Sequence, residues 1–297
     1  MAFLADGLVS MDAYLIHLGS LIGIYILMSL SFNLVVGYTG LLNLGHVGLM
    51  GIGAYVSAIL VKNFHLPFAL GLLAAGLLTM CVAGILALPA KKIKGDYYAL
   101  VTLGFLFVVF AVLVNGESVT RGTLGIPGIP RPEMFLSNSM YLLLVACITA
   151  TTFLFLDRLV HSPFGRALEA VRDDEEVAQM LGKPVFKLKL IAMMISGFIV
   201  GMAGALLAHF VQFIAPNSFW LDLLVSALSG MMIGGVASMR GTVVGVVILF
   251  ALLEPLRFLS FPSSLIGPLR LMIMMCLLLF IILRRPRGLM GRAELES

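Results

Sequence analysis

The sequence predicts an all-α fold, a polytopic transmembrane helical bundle of about nine spans with a polar loop on the cytoplasmic side. Three observations predict it. Hydrophobic residues make up 61% of the 297 residues and charged residues only 11%, whereas a soluble domain carries about 25% charged residues. The apolar residues fall in runs of the length that crosses a bilayer, about 20 residues of helix. The remaining charges collect between the runs, and the 31 glycines suit helices that approach closely in lipid.

Taken in order, spans are expected near 13–36, 43–61, 66–90, 97–114, 138–156, 189–213, 221–237, 241–259 and 267–283. The second and seventh are interrupted by glycine and open to half-helical or re-entrant forms. Orientation follows from lysine and arginine, which concentrate in cytoplasmic loops. Lys91, Lys92 and Lys94, then Arg158, Arg166, Arg172, Lys183, Lys187 and Lys189, then Arg240, then Arg284, Arg285, Arg287 and Arg292 fall on one side. Lys62, Arg121, Arg131, Arg257 and Arg270 fall on the other, a ratio of 14 to 5. The C-terminus is therefore expected in the cytoplasm and the N-terminus outside. Met1–Leu15 has no basic region and carries Asp6 and Asp12, so no cleavable signal peptide is read there. Residues 1–285 are expected to form one transmembrane domain, with a cytoplasmic loop at 157–189 and a short cytoplasmic tail at 286–297. The longest outer loop, Asn115–Ser137, holds Pro127, Pro130, Pro132 and four glycines. Such a loop is stiff and irregular, and reads either as a connector or as a docking lip for an extracytoplasmic partner.

The polar stretch Ser162–Gly182 stands apart. It contains Glu169, Asp173, Asp174, Glu175 and Glu176, five of the 15 carboxylates, and belongs in water. Ser162 followed by Pro163 is a helix start. Asp173 and Glu176 have capping-box spacing and are expected to open a second short helix. Val177 and Leu181 share one face of it, and Gly182 followed by Pro184 ends it, with Gly182 in the left-handed conformation. Start and stop signals at both helices favour a docking element over a plain solvated loop. Charge changes at Asp174 or Glu175 are expected to matter little, as exposed charges are screened.

Catalysis is not supported: the chain holds no phosphate-binding loop, no nucleophile elbow and no zinc-protease motif. Embedded carboxylates mark most proton relays. Here each carboxylate lies at a span end or in a loop, with Asp222 and Glu254 nearest to being embedded, which weakens an ion-coupled secondary transporter. The net charge of +4 asks for no nucleic-acid partner. Cys81, Cys147 and Cys276 show no disulfide framework or metal-ligand spacing, and no cofactor or metal is expected on this chain. What remains is a set of uncharged polar groups in apolar runs. Asn33, Thr39, Asn43 and His46 cluster at the first break, and Tyr97, Tyr98 and Thr102 open the fourth span. Ser226, Ser229 and Ser238, with Gly234 and Gly235, fall in the second glycine-rich region. They read either as a path for a small solute or as helix–helix hydrogen bonds. Gly40, Gly45, Gly48 and Gly51 are expected at a kink or close approach, with Gly48 in tight contact. The pairs Gly197/Gly201, Gly230/Gly234 and Gly241/Gly245 are expected to serve packing within the chain. Gly37-Tyr-Thr-Gly40-Leu-Leu echoes Gly201-Met-Ala-Gly204-Ala-Leu, with His46 and His209 following, which is either an internal repeat or chance.

Phe32–Tyr55 (FNLVVGYTGLLNLGHVGLMGIGAY) resembles the permease subunits of bacterial ABC importers for branched-chain amino acids. Gly95–Phe105 (GDYYALVTLGF) is similar to the M-type member of the permease pair, and FGRALEAVRDDEEVAQMLG and IGGVASMRGTVVG fit as well. The resemblance covers roughly residues 30–257. Within it, Glu176-x-Ala178-x-x-x-Gly182 looks like a degenerate form of the family's coupling motif. The resemblance thus assigns ATPase coupling to Gly165, Arg166, Glu169, Arg172, Asp173, Asp174, Glu176, Ala178 and Gly182. It implies an assembly in the bacterial inner membrane with a second homologous permease, two ABC ATPases that hold ATP and magnesium, and a periplasmic solute-binding protein. It implies alternating access for branched-chain or other neutral amino acids, with urea or short amides as the alternative carried by sister permeases. Two departures bear on the solute. Phe107 and Phe110 stand where the family commonly has glutamate and arginine, and Leu253-Glu254-Pro255-Leu256-Arg257 reorders the usual end of the eighth span.

Overall fold

The computed structural model describes residues 2–93, 95–132, 135–255, 263–284 and 288–291. Lys94, Arg257, Arg285, Arg287 and Arg292, used above for orientation, lie outside the described residues. So do Leu256, the end of the expected eighth span, and most of the 286–297 tail.

The apolar runs fold as helices. They are α1 (Ala2–Thr39), α2 (His46–Asn63), α3 (Phe68–Ala87), α4 (Asp96–Asn115), the single turn α5 (Glu117–Thr120) and α6 (Asn138–His161). The polar stretch gives α7 (Pro163–Asp173) and α8 (Glu175–Met180), followed by α9 (Val185–Val211), α10 (Leu221–Gly234), α11 (Met239–Leu253) and α12 (Ser263–Arg284). Among the described residues five are long and apolar enough to cross a membrane: Ala13–Thr39 of α1, Phe68–Lys91 (α3 with its following turn), α4, α6 and α9.

Two expectations change here. The runs at 221–237 and 241–259 fold as α10 and α11, of 14 and 15 residues. At 1.5 Å per residue each is only about 21–22 Å long, against about 30 Å of hydrocarbon. They are bent from one another by 118°, so they form the two arms of one broken element. The first break, in contrast, precedes the second run. Gly40, at φ +71°, ends α1, and α2 continues unbroken through Gly48 and Gly51. The tight approaches are at Gly45, where a Cβ would lie 2.6 Å from the Thr102 carbonyl, and at Gly53, 2.4 Å from the Gly201 carbonyl; at Gly48 the nearest atom would be 3.4 Å away, an ordinary contact.

The core gathers on α9, which packs on α1, α2 and α3. Small residues make this possible: a Cβ at Gly204 would sit 2.1 Å from the Met50 carbonyl, and one at Gly197 2.4 Å from the Ala83 side chain. Gly230, Gly234, Gly241 and Gly245 interlock the arms α10 and α11, with a Cβ at Gly245 meeting the Gly230 carbonyl at 2.2 Å. All three spaced pairs therefore serve packing inside the chain. The echo does not extend to local structure, since Gly40 terminates a helix and Gly204 lies within one. The outer loop is ordered. β1 (Ile126–Pro127) pairs antiparallel with β2 (Phe213–Ile214) just after α9. The Ile129 amide donates to the Gln212 carbonyl at 3.1 Å, Arg131 to the Phe210 carbonyl at 3.0 Å, and Lys62 to the Pro127 carbonyl.

Candidate functional site

The polar stretch folds as two helices set against the ends of α1, α6 and α9. Ser162 caps α7 by accepting from the Phe164 amide at 3.2 Å, with Pro163 at the first position. Gly165 lets α7 fold back on α6, since a Cβ there would lie 2.0 Å from the Val160 carbonyl. The second cap sits one residue later than the spacing implies. Asp174, not Asp173, accepts from the amides of Glu176 and Val177, both at 2.9 Å. Asp173 is the last residue of α7, and its carboxylate is taken by Arg172. The end of α8 is a Schellman motif: Lys183 N–H donates to the Ala178 carbonyl at 3.1 Å and Gly182 N–H to that of Gln179 at 3.0 Å. Gly182 has φ +76°, the left-handed conformation expected.

Ala178 is buried under α8, while Val177, Met180 and Leu181 are 50%, 84% and 72% exposed. A ridge of three apolar side chains thus stands in an acidic surface. Arg166 reaches the His161 carbonyl at 3.3 Å, Glu169 is half-buried on α7, and Glu176 is exposed.

Two side chains fasten this element to membrane helices, and sequence reading missed both attachments. Arg172 Nη1 donates to the Gly37 carbonyl at 3.0 Å, in the last turn of α1, where carbonyls lack helical partners and the dipole favours a cation. Its other edge is held by Asp173, at 2.9 and 2.7 Å. Lys189 in α9 is buried, its side chain 4% exposed, and its ammonium meets Glu175 at 2.6 Å. Glu175 is therefore the partner of a buried cation and Asp174 a helix cap, so the expectation that changes at either matter little is not kept. A lysine in the second turn of an apolar helix, fourteen residues after a carboxylate, was the available signal.

The expected path residues separate into two packed clusters and one exposed side chain. Asn33 clamps the hinge between α10 and α11: its amide donates to the Ser238 carbonyl at 3.2 Å and the Thr242 hydroxyl at 2.6 Å, and its oxygen accepts from Ala237 N–H at 3.1 Å. Ala237 has φ +57°, an uncommon conformation for a residue with a side chain, and the clamp holds it. Gly234 and Gly235 lie at this hinge, with Ser229 one turn earlier, buried, its hydroxyl without a protein partner. The amides of Leu289 and Met290 donate to the Ile233 and Gly234 carbonyls at 3.0 and 2.9 Å, capping α10 from the C-terminal segment. The second cluster surrounds the loop before α2. Thr39 donates to Val35 O at 2.6 Å, and Asn43 accepts from Gly45 N–H at 3.1 Å. Thr102 accepts from Leu44 N–H at 3.0 Å, Tyr98 donates to Leu86 O at 3.2 Å, and His46 Nε2 lies 2.9 Å from the Ser31 hydroxyl. Tyr97 is 75% exposed. Among the described residues no three His, Cys, Asp or Glu side chains converge on a metal-sized site.

The family model described as the branched-chain amino acid transport system permease component matches residues 14–283. The chain is 33% identical over 311 residues to the high-affinity branched-chain amino acid transport system permease protein LivM of Escherichia coli (strain K12), covering 95% of this chain and 71% of that protein. It is 34% identical to LivM of Salmonella typhimurium, covering 92% and 69%. To the permease protein LivH of the same transport system in that organism it is 24% identical, covering 92% and 93%. No solved structure matches.

Proposed function

The chain belongs to the family of branched-chain amino acid transport system permease components, and on that premise we propose that it forms half of the translocation path of an ATP-driven importer for branched-chain or other neutral amino acids. The second half is a homologous permease, as similarity to both LivM and LivH suggests. ATP and magnesium are held by two separate ATPase subunits, and a periplasmic solute-binding protein delivers the substrate; this chain binds no cofactor of its own. It lies in the bacterial inner membrane with its N-terminus outside and its C-terminus in the cytoplasm. The nine apolar helices α1–α4, α6 and α9–α12 form the transmembrane domain to residue 285, with α10 and α11 entering as two arms, loop 157–189 in the cytoplasm and residues 286–297 as a tail.

The observation that carries this reading is the exposed ridge of Val177, Met180 and Leu181 on helices fastened to α1 by Arg172 and to α9 by Lys189. An apolar ridge in an otherwise acidic, watery surface marks a protein contact. In this role Gly165, Arg166, Glu169, Arg172, Asp173, Asp174, Glu176, Ala178 and Gly182 shape the contact with the ATPase. Displacement of the ridge passes through Arg172 to the Gly37 carbonyl, and from that turn of α1 through Asn33 to the α10–α11 hinge. A two-state element biased from one end is what coupling between sites requires. Asn33, Thr39, Asn43, His46, Tyr98, Thr102, Ser229, Gly234 and Gly235 then act as the moving joints beside the path, while exposed Tyr97 faces the path or the sister permease.

Reconstitution tests the reading. Leucine uptake into proteoliposomes is expected to need ATP on the ATPase side and to stop with vanadate. It is expected to persist when proton and sodium gradients are collapsed by ionophores. Uptake that proceeds without the ATPase subunits would overturn it.

A further inference from the structure

Between the first turn of α10, the end of α11 and the start of α12 lies a cavity of about 580 Å³. Its lining includes Trp220, Asp222 and Ser226 from the start of α10, Arg270 from α12, and the apolar Leu249, Leu253, Leu271 and Met274. We propose that this cavity binds an aliphatic α-amino acid in transit, Asp222 taking its ammonium, Arg270 its carboxylate, and the apolar lining its branched side chain.

The charges fit that class. Asp222 is exposed and makes no ion pair among the described residues. Its position in the first turn of α10 adds the helix-dipole preference for a negative group. The Arg270 side chain is 42% exposed, and among the described residues its carboxylate neighbour is Glu254 at 3.8 Å, the far limit of an ion pair. A guanidinium has five N–H donors in a fork matched to a carboxylate, and among the described residues Arg270 makes no other ion pair. Its plane lies over the Phe250 ring, 5.8 Å from the centroid, and Glu254 also accepts from the Tyr14 hydroxyl. Phe250 and Glu254 thus flank the arginine in the cavity lining. Cation, anion and hydrocarbon in one cavity match a zwitterion with an aliphatic branch. Of the polar residues expected to line a path, Ser226 lies in this lining, and most of the others are buried in helix–helix contacts.

The proposal rests on the import reading above and is tested so that the two can fail separately. The permease–ATPase complex, purified into nanodiscs without the binding protein, is titrated with radiolabelled leucine, and with leucinamide and 4-methylvalerate as competitors. Leucine should bind, and each competitor, lacking one of the two charged ends, should compete at least tenfold more weakly than unlabelled leucine. Arg270→Gln should abolish the discrimination against leucinamide, and Asp222→Asn that against 4-methylvalerate, each at normal retention of the ATPase subunits. Arg270→Lys, which keeps the charge and loses the fork, should recover part of the binding. If the wild type imports leucine yet shows no leucine binding here, or both charge-removing variants bind as the wild type does, the cavity assignment is overturned and the import reading stands. A tightly held phospholipid in native mass spectra, lost in Arg270→Gln, with no leucine binding, would overturn it in favour of a lipid headgroup. If the wild type imports no neutral amino acid, the import reading falls and the cavity assignment with it.

Discussion

The turn that ends α8 and the hinge that joins α10 to α11 both depend on glycine, for opposite reasons. At Gly182 no heavy atom would lie within 4 Å of an added Cβ, and what excludes other residues is its φ of +76°. At Gly234 the helical conformation would suit any residue, but a Cβ would lie 1.9 Å from the Gly241 carbonyl. The first turn is exposed, and in the docking role proposed for it the backbone must reverse freely and the surface must stay clear for a partner. The second is a joint inside the bundle, where two backbones must touch. A docking element tolerates bulk and resists a change of dihedral, whereas a packed joint tolerates neither bulk nor displacement.

The largest expected effect breaks the joint. Overpacking of a filled core costs typically 1–3 kcal/mol and occasionally more. At Gly234 the obstructing atom is backbone, with no flexible side chain to yield, so Gly234→Val is expected at or beyond the upper end, about 3 kcal/mol. The variant should show a clearly lowered melting temperature and a loss of assembled complex of tenfold or more. Wild-type abundance and melting would mean that α10 and α11 part without penalty, and that the contrast with Gly182 is one of degree only.

Gly182→Val sharpens the other side. The left-handed conformation costs a residue with a side chain roughly 1–2 kcal/mol, and more when it is β-branched. The Schellman bonds should loosen and the Val177–Leu181 ridge should shift, while the membrane helices, which do not touch this turn, stay intact. The expected signature is normal membrane abundance, weakened ATPase retention on purification and lost uptake. Normal transport would move the docking surface elsewhere, most directly to the loop around Lys91 and Lys92.

These two regions also differ in how far the sequence reveals them. The turn after α8 was legible because its determinants are local: a cap, two residues on one helical face, then glycine and proline within four residues. Even there the cap slipped by one, since adjacent aspartates carry the same signal and only the end of α7 decides between them. The hinge was legible merely as a glycine-rich stretch, because its clamp comes from Asn33, 204 residues earlier than Ala237. The α10–α11 break was visible as a possibility, but not the shortness of both arms, which follows from Ala237 and its bond to Asn33. Among the path candidates, polarity in an apolar run said that each needs a partner and not what that partner is. Most found one in a neighbouring helix. Asp222 and Arg270 drew notice only as a carboxylate near a span end and an outer charge, because their meeting across one cavity depends on how α10 and α12 pack.

The smallest expected effect lies at the link between the two regions. Arg172 joins the docking element to α1 through the Gly37 carbonyl, and Asp173 holds the same guanidinium from the other side. The arginine side chain is 15% exposed and the aspartate 67%. An ion pair with one partner so far in water contributes about 0.2–1 kcal/mol, less at higher salt, whereas a hydrogen bond from a charged donor to a sheltered carbonyl contributes about 1.5–3 kcal/mol. Asp173→Asn leaves an oxygen in place to accept from Arg172 and does not touch the bond to Gly37. Uptake in that variant is expected within twofold of wild type at physiological salt. Arg172→Met removes the bond to α1 and should leave ATP hydrolysis running while uptake falls tenfold or more. If the two variants lose uptake equally, Asp173 aims the guanidinium at Gly37 and the link depends on its exposed half. If neither loses it, force reaches the hinge by another route, and the Glu175–Lys189 pair on α9 is then the remaining fastening that can carry it.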